Sequence, residues 1–137
     1  MKKTIIYTDG ASRGNPGNAG IGAVFLDDQG HETHKIAEYI GEATNNVAEY
    51  TALIKALEKA QKLGYKEVEL FTDSELLVRQ IKGVYKVKNE GLKPLYGQVI
   101  DLLKKFERYK IDHVRREKNK EADKLANLGI DQGLQEV

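Results

Sequence analysis

The sequence has no cysteine and no tryptophan, only three histidines, and no long apolar run. Without cysteine there can be no disulfide, no thiolate nucleophile, and no sulfur-ligated zinc or iron–sulfur site. His31, His34 and His113 leave little for an imidazole-based metal centre. No apolar stretch approaches the roughly 18 residues of a membrane span, and Met1-Lys2-Lys3 is not followed by a signal-peptide core. The expectation is a cytoplasmic protein with no membrane partner. Nor is one sign of charge in excess. With 22 basic residues against 21 acidic ones, bulk charge predicts no partner, and any nucleic-acid signal must lie in local clusters. What is present is 137 residues, 40% of them hydrophobic. That is enough for one domain and too short for two ordinary ones, and a domain near this size hides roughly two-thirds of its unfolded surface. A single domain over residues 1–137, monomeric and without covalent staples, is therefore expected.

Periodicity divides the chain into alternating strands and helices. Lys3 to Asp9 is β-branched and aromatic, a strand expected to be covered on both faces. Gly10 to Gly20 holds four glycines and Pro16 and reads as a loop. Ile21 to Leu26 is a second strand, Asp27-Asp28-Gln29-Gly30 a turn, and His31 to Ile40 a third strand. From Asn45 to Leu63 the apolar positions 50, 53, 54, 57 and 60 follow a helical period, with Gly64 in the C′ position. Glu67 to Asp73 is a strand, Ser74 to Ile81 a short helix stopped by Gly83, and Leu92 to Phe106 a helix. Tyr109 to Val114 is the last strand, and Lys120 to Leu128 a final helix ended by Gly129. Strands that first meander and then alternate with helices predict a mixed sheet with parallel crossovers.

Two of these strands end alike, in Tyr7-Thr8-Asp9-Gly10 and Phe71-Thr72-Asp73-Ser74. If the helix 45–63 makes them parallel neighbours, both aspartates lie at one carboxyl edge of the sheet, where open α/β sheets bind ligands. Either aspartate could equally cap the element that follows it. Glu49 opens the long helix. With Asn46 as N-cap it would sit at N3 and close a capping box, yet it also flanks the apolar face one turn before Leu53. Asp123 lies in the first turns of the last helix, where the dipole favours an acid anyway. Taken jointly, four carboxylates with no cysteine and hardly any histidine suit magnesium or manganese and disfavour zinc. Carboxylates converging on one sheet edge could hold two such ions, the arrangement used in phosphoryl transfer.

Four segments in order carry a resemblance. They are Tyr7-Thr8-Asp9-Gly10-Ala11-Ser12-Arg13-Gly14-Asn15-Pro16-Gly17, Thr44-Asn45-Asn46-Val47-Ala48-Glu49, Thr72-Asp73-Ser74 and Asn119-Lys120-Glu121-Ala122-Asp123. They resemble the successive motifs of type 1 ribonuclease H, over nearly the whole chain. The resemblance implies a ribonuclease H-like α/β fold, a five-stranded mixed sheet whose first three strands are antiparallel and later ones parallel, flanked by helices. It implies endonucleolytic cleavage of the RNA strand of RNA–DNA hybrids, leaving 3′-hydroxyl and 5′-phosphate ends. Asp9, Glu49, Asp73 and Asp123 match the family's catalytic metal ligands, with two Mg2+ ions in the substrate complex and Mn2+ as an alternative. Gly10, Ala11, Ser12 and Asn15 match contacts to the RNA, and Thr44, Asn45 and Asn46 contacts to the hybrid backbone and bases. In the 10–17 segment, glycine backbone can approach a sugar closely and read its 2′-hydroxyl.

The chain departs from many family members in three places. A basic protrusion rich in Lys and Trp is replaced by Ile81-Lys82-Gly83-Val84-Tyr85-Lys86-Val87-Lys88-Asn89, which joins two helices directly. Arg79, Lys82, Lys86 and Lys88 beside Tyr85 form either a modest phosphate-contacting patch or a plain solvated face. The loop before the last aspartate has no histidine, and Arg115 or Arg116 is the candidate phosphate contact there; Arg116 opens the Arg-Glu-x-Asn-x-x-Ala-Asp ending of the short family members. Glu75 stands where many members have Gln. The rival readings are a catalytically silent module binding hybrid or double-stranded RNA, and an aspartate phosphoryl acceptor, which would need an all-parallel sheet.

Overall fold

The computed structural model describes residues 2–135. Five strands form one sheet: β1 (Lys3–Gly14), β2 (Gly17–Leu26), β3 (Glu32–Ala43), β4 (Glu67–Thr72) and β5 (Arg108–His113). The helices are α1 (Asn45–Lys62), α2 (Glu75–Ile81), α3 (Lys93–Leu103) and α4 (Lys120–Gln135). The strand order is β3-β2-β1-β4-β5. β1 pairs antiparallel with β2, and β2 with β3; β4 runs parallel to both β1 and β5. This is the expected mixed sheet, and its antiparallel first half is incompatible with an all-parallel receiver-type order.

The main core lies between the sheet and the layer of α1, α2 and α3. Ile6, Ile21, Phe25, Val68, Leu70 and Ile111 meet Tyr50, Leu53, Leu57, Leu77, Val99 and Leu103 there. Each such side chain fully withdrawn from water contributes about 1.5–3 kcal/mol, so this layer dominates the stability. Helix α4 lies on the opposite face, over β2, β3 and part of β1. It does not extend over β4. The row of Lys3, Ile5 and Tyr7 is consequently only half-buried, whereas Thr4, Ile6 and Thr8 on the core side are buried. That corrects the expectation of two covered faces.

Residues 10–20 form no loop. β1 continues to Gly14 and β2 begins at Gly17, giving a long hairpin that turns at a cis Asn15–Pro16 bond. Glycine has low intrinsic strand propensity, but two of these glycines serve close approach. A Cβ on Gly10 would overlap the backbone of Ala48 and Glu49 in α1, and one on Gly20 would overlap the Ala126 carbonyl of α4. Gly129 likewise does not end α4. The helix runs six residues further, with Gly129 and Gly133 set against Glu38 and Tyr39 of β3. α3 stops at Leu103, short of Phe106.

Candidate active site

The carboxyl ends of β1 and β4, the start of α1 and the start of α4 surround one open cavity of about 320 Å³. Its walls carry Asp9, Gly10, Ala11, Ser12, Asn45, Glu49, Asp73, Arg116 and Asp123. All four predicted acids are therefore brought together from four separate elements. Asp9 lies within β1, paired with Gly22 of β2; Asp73 follows β4 directly; Asp123 is in the first turn of α4. Glu49 is placed by a helix start that differs from the expected one. The N-cap is Thr44, whose Oγ1 accepts from the Val47 N–H at 3.2 Å. Glu49 thus sits beyond N3 and closes no capping box, and its carboxylate is left available to the cavity.

The electrostatics are those of like charges crowded out of water. Asp9 is 7% exposed. Burial, then the charge of Asp73, then contact with Asp123 and the charge of Glu49, push its carboxyl up to about 9. Burial is also the main cause that raises Glu49, to about 7; Asp73 adds to it, while the Ser74 hydroxyl and the Arg116 charge oppose it. Ser74 was read in the sequence as the start of a helix and as part of the Thr72-Asp73-Ser74 motif, without a role at the site. It does cap α2, accepting from Leu77 N–H at 3.2 Å, and its position directly after Asp73 was the signal for its second role beside Glu49.

Whether a divalent cation fits here rests on these donors. Among the described residues no three acidic or imidazole side chains stand closed to the spacing of an ion cage. The set is nonetheless entirely oxygen and lines one open cavity, and burial together with the neighbouring negative charge raises Asp9 and Glu49. A hard dication relieves that repulsion and matches the donor type. The donors fit.

The predicted substrate contacts divide. Gly10, Ala11, Ser12, Asn45 and Arg116 line the cavity; Asn15, Thr44 and Asn46 do not. Asn15 and Asn45 instead tie the hairpin tip to α1. Asn15 Oδ1 accepts from Asn45 N–H at 3.1 Å, and Asn45 Oδ1 accepts from Ser12 N–H at 3.0 Å. The Ser12 hydroxyl donates to the Ala43 carbonyl at 2.7 Å. These contacts use the amide oxygens of Asn15 and Asn45. Gly10 packs on α1, so its missing Cβ already has a structural use. Arg13 is held by Asp131 at 2.7 Å and by Asn127. In the segment that replaces the protrusion, Lys82 pairs with Asp112 at 2.8 Å, and Arg79 pairs with Glu75 and stacks over Tyr85. Lys86 and Lys88 have no ion pair among the described residues.

Comparison with known proteins decides the family. The reverse transcriptase-like family model matches residues 7–129. The crystal structure of RNase H1 from the archaeon Halobacterium salinarum superposes with a TM-score of 0.92 at 41% identity, covering 95% of this chain and 98% of that one. The chain belongs to the ribonuclease H family, type 1. A crystal structure of LC11-RNase H1 in complex with an RNA/DNA hybrid, of a protein isolated from compost, superposes with a TM-score of 0.91 at 49% identity over 96% of this ribonuclease H chain and 99% of that one. A bifunctional protein of Mycobacterium tuberculosis is 45% identical over 97% of this chain. The chain spans 37% of that relative's length.

Proposed function

We propose that this ribonuclease H-type domain is an endoribonuclease that hydrolyses the RNA strand of RNA–DNA hybrids, leaving 3′-hydroxyl and 5′-phosphate ends. The observation that carries the proposal is the convergence of Asp9, Glu49, Asp73 and Asp123 on one open cavity, with Asp9 pushed up to about 9 by burial and then by its acidic neighbours. A group of acids this destabilised has no structural use, and a module that only bound nucleic acid would gain nothing from negative charge beside phosphates. The hybrid held by the related LC11 enzyme supports the choice of substrate.

Two Mg2+ ions, or Mn2+, held by Asp9, Glu49, Asp73 and Asp123 would supply Lewis-acid activation of the attacking water and charge stabilisation at the departing 3′-oxygen. Asp9, the most enclosed of the four, would be among the carboxylates that hold these ions. Asp9 and Glu49 would hold a dication in their ionised form, so metal affinity should fall as pH drops and these two carboxyls take up protons. Arg116, on the cavity wall, offers a fixed positive charge to a phosphate entering beside Glu49. Backbone of residues 10–12 on the same wall is placed to meet ribose hydroxyls, which distinguish RNA from DNA. The test is incubation of end-labelled hybrid with Mg2+ or Mn2+. Cleavage confined to RNA, lost in Asp73→Asn, is expected. Hybrid binding without cleavage would identify a silent module, and equal cutting of all-DNA duplex a general nuclease.

A further inference from the structure

We propose that Asn119 and Gly22 are positioning residues for the acid cluster: together they seat the first turn of α4 on the sheet and fix Asp123 against Asp9. The inference rests on the cation-binding reading of the four acids. Asn119 immediately precedes α4 and is 1% exposed. Its Nδ2 donates to the carbonyl of Thr8 at 2.9 Å, the residue just before Asp9. Its own backbone carbonyl accepts from the N–H of Asp123 at 3.1 Å. One residue therefore joins the main chain next to one acid to the main chain of the other, through two hydrogen bonds.

The price of this bridge is visible. Asn119 Oδ1 is buried with no hydrogen-bond partner among the described residues. An unmet acceptor costs about 1–3 kcal/mol, more than one neutral hydrogen bond returns. An apolar side chain of similar size would spare that acceptor but take this donor from the Thr8 carbonyl, so for stability alone the two choices nearly balance. What only the amide supplies is the link beside the acids, where distance between elements matters most.

Gly22 acts on the same turn from the sheet. It is the cross-strand partner of Asp9, so both face α4. A Cβ there would overlap the Ala122 carbonyl oxygen and stand 2.9 Å from Leu125 Cβ. Asp123 lies between those two residues. Any side chain at position 22 lifts the segment that bears Asp123 away from Asp9.

The experiment compares wild type, Asn119→Leu and Gly22→Ala with Ile130→Val, a control that loosens the same helix far from the acids. Three quantities are read: melting temperature, Mn2+ affinity of the free protein by calorimetry, and kcat and KM on hybrid. Asn119→Leu is expected to melt within a few degrees of wild type yet bind Mn2+ at least tenfold more weakly and lose kcat at unchanged KM. Ile130→Val is expected to lower the melting temperature with Mn2+ affinity and kcat retained. Should Asn119→Leu fail to melt cooperatively, Asn119→Ser, which keeps a donor but shortens its reach, carries the same comparison. Mn2+ affinity in Asn119→Leu and Gly22→Ala equal to that of wild type overturns the positioning role alone. A wild-type chain that takes up no Mn2+ overturns the cation-binding reading, and this inference with it.

Discussion

Replacing Asp9 by Asn should inactivate the protein and stabilise it. In the native state the Asp9 carboxyl ionises only near 9, whereas in the unfolded chain it ionises near 3.8. Between those values the native state holds a proton that the unfolded state has released, so stability falls as pH rises across the window. At pH 7 the gap is about three pH units, and at about 1.4 kcal/mol each the ceiling is about 4 kcal/mol. Asp9 shares its proton with the carboxyls around it, so roughly half of this, about 2 kcal/mol, is assignable to it. For a domain of this size that corresponds to a rise in Tm of roughly 5–10 °C. Asn keeps the shape and can donate to Asp123 as the shared proton does, so little is lost on substitution. Calorimetric melting without divalent metal, at pH 4, 7 and 9, is the assay. The gain should be near zero at pH 4 and grow to pH 9. Added Mn2+ should raise Tm in wild type and not in the variant, because a ligand that binds only the native state stabilises it in proportion to its occupancy. An Asp9→Asn variant less stable than wild type at pH 9 without metal would refute the reasoning.

Glu49→Gln should retain the fold and lose cleavage by at least roughly a hundredfold, as expected for a metal-liganding carboxylate; near-normal turnover in a gel assay removes Glu49 from the site. Mn2+ affinity measured from pH 6 to 9.5 should tighten through about 7, where Glu49 gives up its proton, and on toward about 9, where Asp9 does; a flat profile contradicts both assignments. The double variant Lys86→Glu, Lys88→Glu should weaken hybrid binding and flatten its salt dependence by about 0.7–0.9 in log–log slope per lost phosphate contact, with turnover at saturation unchanged; unaltered affinity makes the segment an ordinary solvated surface. A DNA strand carrying a short ribonucleotide run, paired with DNA, should be cut only within or at the edge of that run, with little base preference. Cuts elsewhere would show that the 2′-hydroxyl is not what the residue 10–15 backbone reads.

The four acids were legible in the sequence because each follows a local signature: Thr-Asp closing an apolar run for Asp9 and Asp73, and the opening of a helical period for Glu49 and Asp123, although β1 runs on to Gly14 and Glu49 lies past the first turn of α1. Their convergence followed from the parallel crossover of β1 and β4, which the helical period of residues 45–63 implied. What escaped a reading of local pattern was set by tertiary contact. The glycines of the first motif looked like a loop because glycine is a poor strand former by itself. Gly10 and Gly20 are in strands because α1 and α4 come too close for any Cβ. Gly129 looked like a helix stop for a similar reason, and is instead the face of α4 that rests on β3. The helix start slipped by two residues because Thr44, Asn45 and Asn46 are all competent caps, and only the path of the chain leaving β3 selects the first of them.

That two-residue slip and those bare Cα positions bear on one another. Carboxylates in a capping box or a solvated turn satisfy themselves locally and are stable where they are. Here Thr44 relieves Glu49 of capping, and Gly10 brings the Ala48–Glu49 backbone onto β1 beside Asp9. On the other face of the sheet Gly22 and Asn119 do the same for Asp123. Each device works against the preference of an acid to remain in water, and each acts on main chain, which cannot rotate away as a side chain can. The acids are thus held in a position they would not choose, at a cost in stability that is largest at high pH and that a bound dication removes. It follows that substitutions relaxing the backbone approach should raise apparent stability without metal and lower it with metal. A purely structural core position cannot give that reversal of sign.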